Sequence, residues 1–169
     1  MMMLKEIESR RSVRKYNENE KISRKQLETL LEAAMHAPSA CNSRPWEFIA
    51  ITNRGILDEI VKIHPNAAML STAAAAIVVV AIPQQGRPEG YFPQDCGAAT
   101  QNILLQAKSM GISSCWCGVY PKPDRVESLS KLLNIEQPKI PFNVIAIGIS
   151  DEEPAKRGFF DPERVKYID

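Results

Sequence analysis

Phe92-Pro93-Gln94-Asp95-Cys96-Gly97-Ala98-Ala99-Thr100-Gln101-Asn102-Ile103-Leu104-Leu105-Gln106-Ala107-Lys108-Ser109-Met110 repeats with a helical period but is apolar on more than one face. Ala98, Ala99, Ile103, Leu104, Leu105 and Ala107 leave little of this helix for solvent, so it needs cover on most sides. In a chain of 169 residues a second subunit is a convenient source of that cover, and the helix is read as core and dimer interface together. Around it the period switches to that of strands. Residues 75–82 form a continuous apolar, β-branched run of the kind found in a central buried strand, and residues 46–52, 112–119 and 143–149 read as further strands. A second helix opens at Ser23 with a capping box to Gln26, repeats Leu27, Leu30, Leu31 and Ala34, and ends by Pro38. Residues 56–63 and 124–133 are shorter helices, the latter with Asp124 as N-cap. Strands alternate with helices, but the helix content and the absence of a Gly-x-Gly-x-x-Gly turn argue against a dinucleotide-binding unit. The expectation is an α+β sandwich in one domain, residues 1–169.

Two stretches carry chemistry. Glu8-Ser9-Arg10-Arg11-Ser12-Val13-Arg14 packs three guanidinium groups and a hydroxyl into a short segment, a set that matches the oxygens of a phosphate monoester. The alternative is a solvated basic end to a short N-terminal helix. In the helical reading Arg10 and Arg14, four apart, share one face of a helix end while Arg11 points elsewhere. Ala37-Pro38-Ser39-Ala40-Cys41-Asn42-Ser43-Arg44-Pro45-Trp46 is a loop of small and polar residues bracketed by prolines, and small side chains let a flat ligand approach the backbone.

Together these stretches resemble the nitroreductase family of flavin mononucleotide (FMN) enzymes, with its Arg-Arg-Ser-x-Arg motif and its Pro-Ser-x-x-Asn-x-x-Pro-Trp loop. Residues 94–105 are similar to the family's central helix, 111–121 to its strand and flavin-edge loop, and 140–148 to its last core strand, so the resemblance runs from about Ile7 to Tyr167. It implies a mostly antiparallel sheet flanked by helices and an intertwined homodimer with exchanged C-terminal segments and FMN at the subunit interface. Arg10, Arg11, Ser12 and Arg14 would hold the phosphate and ribityl end, Arg11 reaching toward the pyrimidine edge. Pro38, Ser39, Ala40 and Asn42 of the second subunit would lie along the ring. Cys117, Gly118 and Val119 would bring main chain to the ring, with a thiol at 117 where the family leads one to expect an aliphatic side chain. Lys156 and Arg157 would be a second basic clamp, although Arg157 is followed by Gly158 and Phe159 where many relatives carry a second basic residue, which implies weaker FMN binding. NADH or NADPH would be the electron donor, with nitroaromatics, quinones or free flavin as acceptors in a ping-pong cycle. Reductive dehalogenation, flavin breakdown, a non-catalytic flavin carrier or sensor, and a docking patch at Arg10 to Arg14 for a phosphorylated or anionic partner are the competing readings.

Composition is compatible with this. The net charge of +1 argues against a general nucleic-acid binder. Cys41, Cys96, Cys115 and Cys117 lack the spacing of a zinc or redox motif and suit free thiols in a reducing cytoplasm. Cys115 and Cys117, two apart in a strand, are expected on one face. Met1–Glu6 is too short and too soon charged for a secretory leader, and the longest apolar run, 73–83, is far below the roughly 20 residues that span a bilayer. No Ser-His-Asp, paired-carboxylate or metal-ligating pattern is visible. His36 at a helix end and His64 in a loop are poor catalytic candidates, Asp95 and Asn102 read as polar core contacts, and a bound flavin would carry the redox step.

Overall fold

The computed structural model describes residues 3–85, 88–152, 154, 155 and 157–168. Strands β1 (Trp46–Ile51), β2 (Ala75–Ala81), β3 (Ser113–Gly118) and β4 (Ile140–Gly148) form one sheet in the order β1-β2-β4-β3. Every neighbouring pair is antiparallel. The accompanying helices are α1 (Lys5–Ser9), α2 (Arg24–Met35), α3 (Arg54–Ile63), α4 (Phe92–Ser109) and α5 (Pro123–Leu133). The expected antiparallel sheet flanked by helices is therefore what the chain adopts.

Antiparallel sheets commonly leave one face to water, and their strands then alternate. β2 does not alternate, because all seven of its residues are buried. Ala75, Ile77, Val79 and Ala81 turn toward α2 and α4, packing in one cluster with Leu30, Ala99 and Ile103. Ala76, Val78 and Val80 turn the other way, into a cluster with Leu57 and Ile60 of α3 and with Leu70. Helices thus cover both faces, and the continuous apolar run is the sequence form of that arrangement.

The caps explain where the helices begin. Ser23 and Gln26 make both bonds of the capping box, and Asn53 accepts from the Ile56 N–H at the start of α3. The expected Asp124 cap is corrected: α5 begins at Pro123, with Lys122 in the cap position and no side-chain bond there. Proline suits a first helical position, and Asp124 then lies in the first turn, where its charge complements the helix dipole.

α4 gains part of the cover it needs inside the chain, from the sheet and from α2, whose Ala33 carbonyl accepts from Asn102 Nδ2 at 3.0 Å. Ala98 and Leu105 remain half-buried, and Leu105 lines a groove of about 380 Å³ with Leu4, Ile7 and His36.

β4 begins earlier than its apolar pattern. Val79 pairs with Asn143 and Val80 with Pro141, so Phe142 is the extra residue of a bulge. A proline inside a central strand lacks a ladder donor and is tolerated beside such an irregularity. At the other end, a Cβ on Gly148 would sit 2.8 Å from the Tyr16 ring. Glycine is required there by close approach, and the Tyr16 hydroxyl in turn donates toward the Val13 carbonyl at 2.9 Å and the Ala146 carbonyl at 3.3 Å.

Candidate functional site

The arginine-rich segment is extended. α1 stops at Ser9, Arg10 already has β-region backbone angles, and Ser12 forms a parallel bridge with Ser114 at the start of β3. The Val13 N–H donates to the Ser114 carbonyl at 3.1 Å, and Val13 is buried. This corrects the helix-end geometry expected for Arg10 and Arg14. They still share a side, now because side chains alternate along extended chain, and Ser12 joins them there.

Arg10, Arg11, Ser12, Arg14 and Arg157 line one cavity of about 600 Å³, so the structure brings the N-terminal motif and the C-terminal basic residue together. Lys156 lies outside the described residues. Among the described residues the Arg10 and Arg157 guanidinium groups make no hydrogen bond. Arg11 is committed differently. Its guanidinium donates to the Glu8 and Arg10 carbonyls at 2.9 and 2.7 Å and to the Ala155 and Arg157 carbonyls at 3.2 and 2.8 Å. It ties the N-terminal segment to the C-terminal one. Glu152 also lines the cavity, and its Oε2 accepts from the Arg14 main-chain N–H at 3.2 Å.

At the far end of β3 the three candidates separate. Cys115 and Cys117 do share a face, but both thiols turn into the core, with Cys117 Sγ 3.6 Å from Met69 Sδ and 3.5 Å from the Asn66 carbonyl oxygen. A hydrogen bond with Cys115 and burial both push the Cys117 thiol up, so it stays protonated. Its side chain faces away from any ligand lying on the exposed main chain. Val119 is buried, and its N–H donates to the Phe142 carbonyl at 3.2 Å. Gly118 alone of the three is exposed, and a Cβ placed on it would meet nothing within 4 Å.

The Gly118 carbonyl has an unforeseen partner. His64, 3% exposed, places Nε2 2.9 Å from it, and Arg125 Nη1 donates to the same oxygen at 3.0 Å. Burial holds the His64 pKa below the usual imidazole range. From sequence His64 was only a loop residue before a proline, because its partner lies 54 positions away.

In the 38–42 loop, Ala40–Asn42 form a 3-10 turn, and Cys41, Asn42 and Arg44 have φ of 50°, 52° and 48°. Such angles are costly for residues with a Cβ and persist where surroundings impose them. Here Ser39 Oγ accepts from the Arg44 N–H at 2.9 Å, Asn42 Oδ1 from Arg44 Nε at 3.0 Å, and Asp95 Oδ1 from the Ala40 N–H at 2.9 Å. Asp95 is 5% exposed, and its Oδ2 has no partner among the described residues. The residue read as a core contact thus anchors the loop. Asp95 stands near the start of α4, whereas Arg10 lines a cavity with Lys108 near its end. At 1.5 Å per residue these positions are about 20 Å apart along the helix. The cavity of the arginines takes no lining from Pro38, Ser39, Ala40 or Asn42.

Known proteins share this fold and much of this sequence. The family model described as "Nitroreductase family" matches residues 7–64 and 64–149. The chain is 43% identical over 165 residues to a Methanothermobacter thermautotrophicus protein named "Putative NADH dehydrogenase/NAD(P)H nitroreductase", covering 98% of this chain and 86% of that one. A crystal structure of a protein of the same name from Parabacteroides distasonis superposes with a TM-score of 0.92 at 36% identity, over 97% and 96% of the two chains. An FMN-dependent nitroreductase from Clostridium difficile superposes at 0.90 with 27% identity, over 99% of each. The chain belongs to the nitroreductase family.

Proposed function

We propose that the protein is an FMN-dependent NAD(P)H oxidoreductase, a single domain over residues 1–169 that acts as a cytoplasmic homodimer with FMN at the subunit interface. The observation that carries this reading is the convergence of Arg10, Ser12, Arg14 and Arg157 on one cavity beside the start of β3. Charged donors in that set fit a phosphate monoester. From Ser114 to the exposed Gly118 is four residues of strand, about 13 Å, a span of the order that separates the phosphate of FMN from its ring. The same β3 would therefore carry the phosphate at one end and the ring at the other.

Arg11 serves that site indirectly, by holding the C-terminal segment so that Arg157 stays beside Arg10. Gly118 offers main chain without a side chain, while Cys117 and Val119 support it from the core. Pro38, Ser39, Ala40 and Asn42 do not line the cavity of the arginines of their own chain, which supports a ring cover drawn from the second copy. FMN when bound would supply the redox chemistry, accepting hydride from NADH or NADPH at N5 and reducing a nitroaromatic, quinone or flavin acceptor in a second half-reaction. No side chain of this protein is assigned as an acid or base. Among the described residues, no cluster of metal-ligating side chains is present and no helix is long and apolar enough to cross a membrane.

The deciding experiment is an anaerobic absorbance spectrum of the protein reconstituted with FMN, before and after NADH and then NADPH. Bleaching of the flavin band at about 450 nm is expected. A bound flavin that stays oxidised with both donors would point to a carrier, a sensor or an enzyme fed by another electron donor.

A further inference from the structure

Gly118 presents an asymmetry. It is exposed, its φ lies outside the left-handed region, and the space where a Cβ would stand is open, so nothing within the chain asks for glycine there. Yet the peptide that follows it is held from several directions. His64 Nε2 and Arg125 Nη1 both meet the Gly118 carbonyl, at 2.9 and 3.0 Å. On the opposite edge of the same peptide the Val119 N–H donates to the Phe142 carbonyl at 3.2 Å, and the next N–H, of Tyr120, donates to that same oxygen at 3.0 Å. The partners come from the end of α3, from α5 and from the bulge of β4.

The role of His64 follows from its second bond. Nδ1 lies 3.2 Å from the Asn66 main-chain nitrogen, whose N–H can only donate, so Nδ1 accepts and the ring proton sits on Nε2. The imidazole is a neutral donor to Gly118. Burial favours that neutral form and the nearby Arg125 charge reinforces it, while the Gly118 bond itself and Asp124 act in the opposite direction.

We infer that His64 is a positioning residue for the cofactor: its imidazole holds the Gly118–Val119 peptide plane on which the FMN ring rests. A rigid, exposed peptide without a side chain is what a flat ligand lying against main chain requires, and fixing its plane removes an ordering cost from binding. The inference rests on the FMN reading above. His64 touches neither the ring nor a substrate and acts only through the main chain.

Two measurements test it: hydrogen exchange at the Val119 amide in the flavin-free protein, and FMN affinity from quenching of flavin fluorescence. In H64L, exchange at Val119 should rise and FMN should bind more weakly, each by about tenfold, the scale of one lost buried hydrogen bond. H64Q, whose side-chain amide can donate to the same carbonyl, should recover most of both. R125Q alters a half-buried side chain and should shift both readouts the same way by a smaller factor; it also supplies the test if H64L does not fold. Wild-type exchange at Val119 in H64L, or wild-type FMN affinity in H64L and R125Q, overturns the role. If the unaltered protein takes up no FMN, the functional reading fails and the cofactor part of the inference with it, while exchange at Val119 still decides whether His64 holds the peptide.

Discussion

The two ends of β3 are built on opposite plans. At the Ser114 end the chain presents long charged side chains, of which Arg14 is exposed and Arg10 and Arg157 make no hydrogen bond among the described residues. At the Gly118 end it presents no side chain, but a peptide held at both edges by His64, Arg125 and Phe142. One end offers charge that can adjust to its ligand; the other offers shape fixed beforehand. The difference separates two tasks a cofactor site must perform: attraction, which tolerates mobile groups, and alignment, which does not.

The comparison breaks most directly at the charged end. R10A/R14A should weaken FMN binding by at least about 100-fold, since charge-assisted hydrogen bonds contribute about 1.5–3 kcal/mol each. The proposed dimer should survive, and size-exclusion chromatography with flavin absorbance reads both quantities; full flavin occupancy in the double variant would remove the phosphate seat. At the rigid end the signature is inverted. G118A should leave the melting temperature unchanged, because its Cβ meets nothing in the chain, yet weaken FMN by about tenfold through the methyl placed under the ring, a typical overpacking cost of 1–3 kcal/mol. A loss of stability without a loss of affinity would show that the glycine serves the fold.

pH sharpens the contrast further. The His64 pKa is depressed in the folded protein by burial, with Arg125 acting in the same sense and Asp124 against it. Below the unfolded value of about 6.5 the unfolded chain takes up a proton that the folded chain refuses, so stability should fall as pH drops from about 6.5 toward the depressed folded value. The limiting slope is about 1.4 kcal/mol per pH unit. Denaturant titrations of wild type and H64Q at pH 7.5 and 5.5 should show a larger loss in the wild type; equal losses would mean that another group governs this range. The smallest effect should come from salt. Raising ionic strength shortens the Debye length and should weaken wild-type FMN binding severalfold, while R10A/R14A, stripped of the charge, should respond less.

Much of the fold could be read locally. The capping box at Ser23 lies within four residues, and the uninterrupted run of β2 reports two covered faces without naming what covers them. What escaped was decided at a distance. Arg10 to Arg14 read as helix because α1 precedes them, but a five-residue helix is too short to propagate on its own, and the edge of β3 offers Val13 a carbonyl instead. Period two placed Cys115 and Cys117 on one face, yet which face depends on the register of β3 against β4. The anchors were hidden by separation, Asp95 from Ala40 by 55 positions and His64 from Gly118 by 54. Nothing in either neighbourhood marks a buried carboxylate or imidazole as the support of a remote backbone group.

The bridge between Ser12 and Ser114 has a further consequence. β3 is an edge strand, and a bare edge is a template on which other chains can add strands. The segment carrying the arginines lies along the start of that edge and takes up the Ser114 carbonyl. A change that loosens this segment would therefore do more than release a small molecule: it would leave a sticky margin on the sheet, and precipitation would accompany the loss of colour.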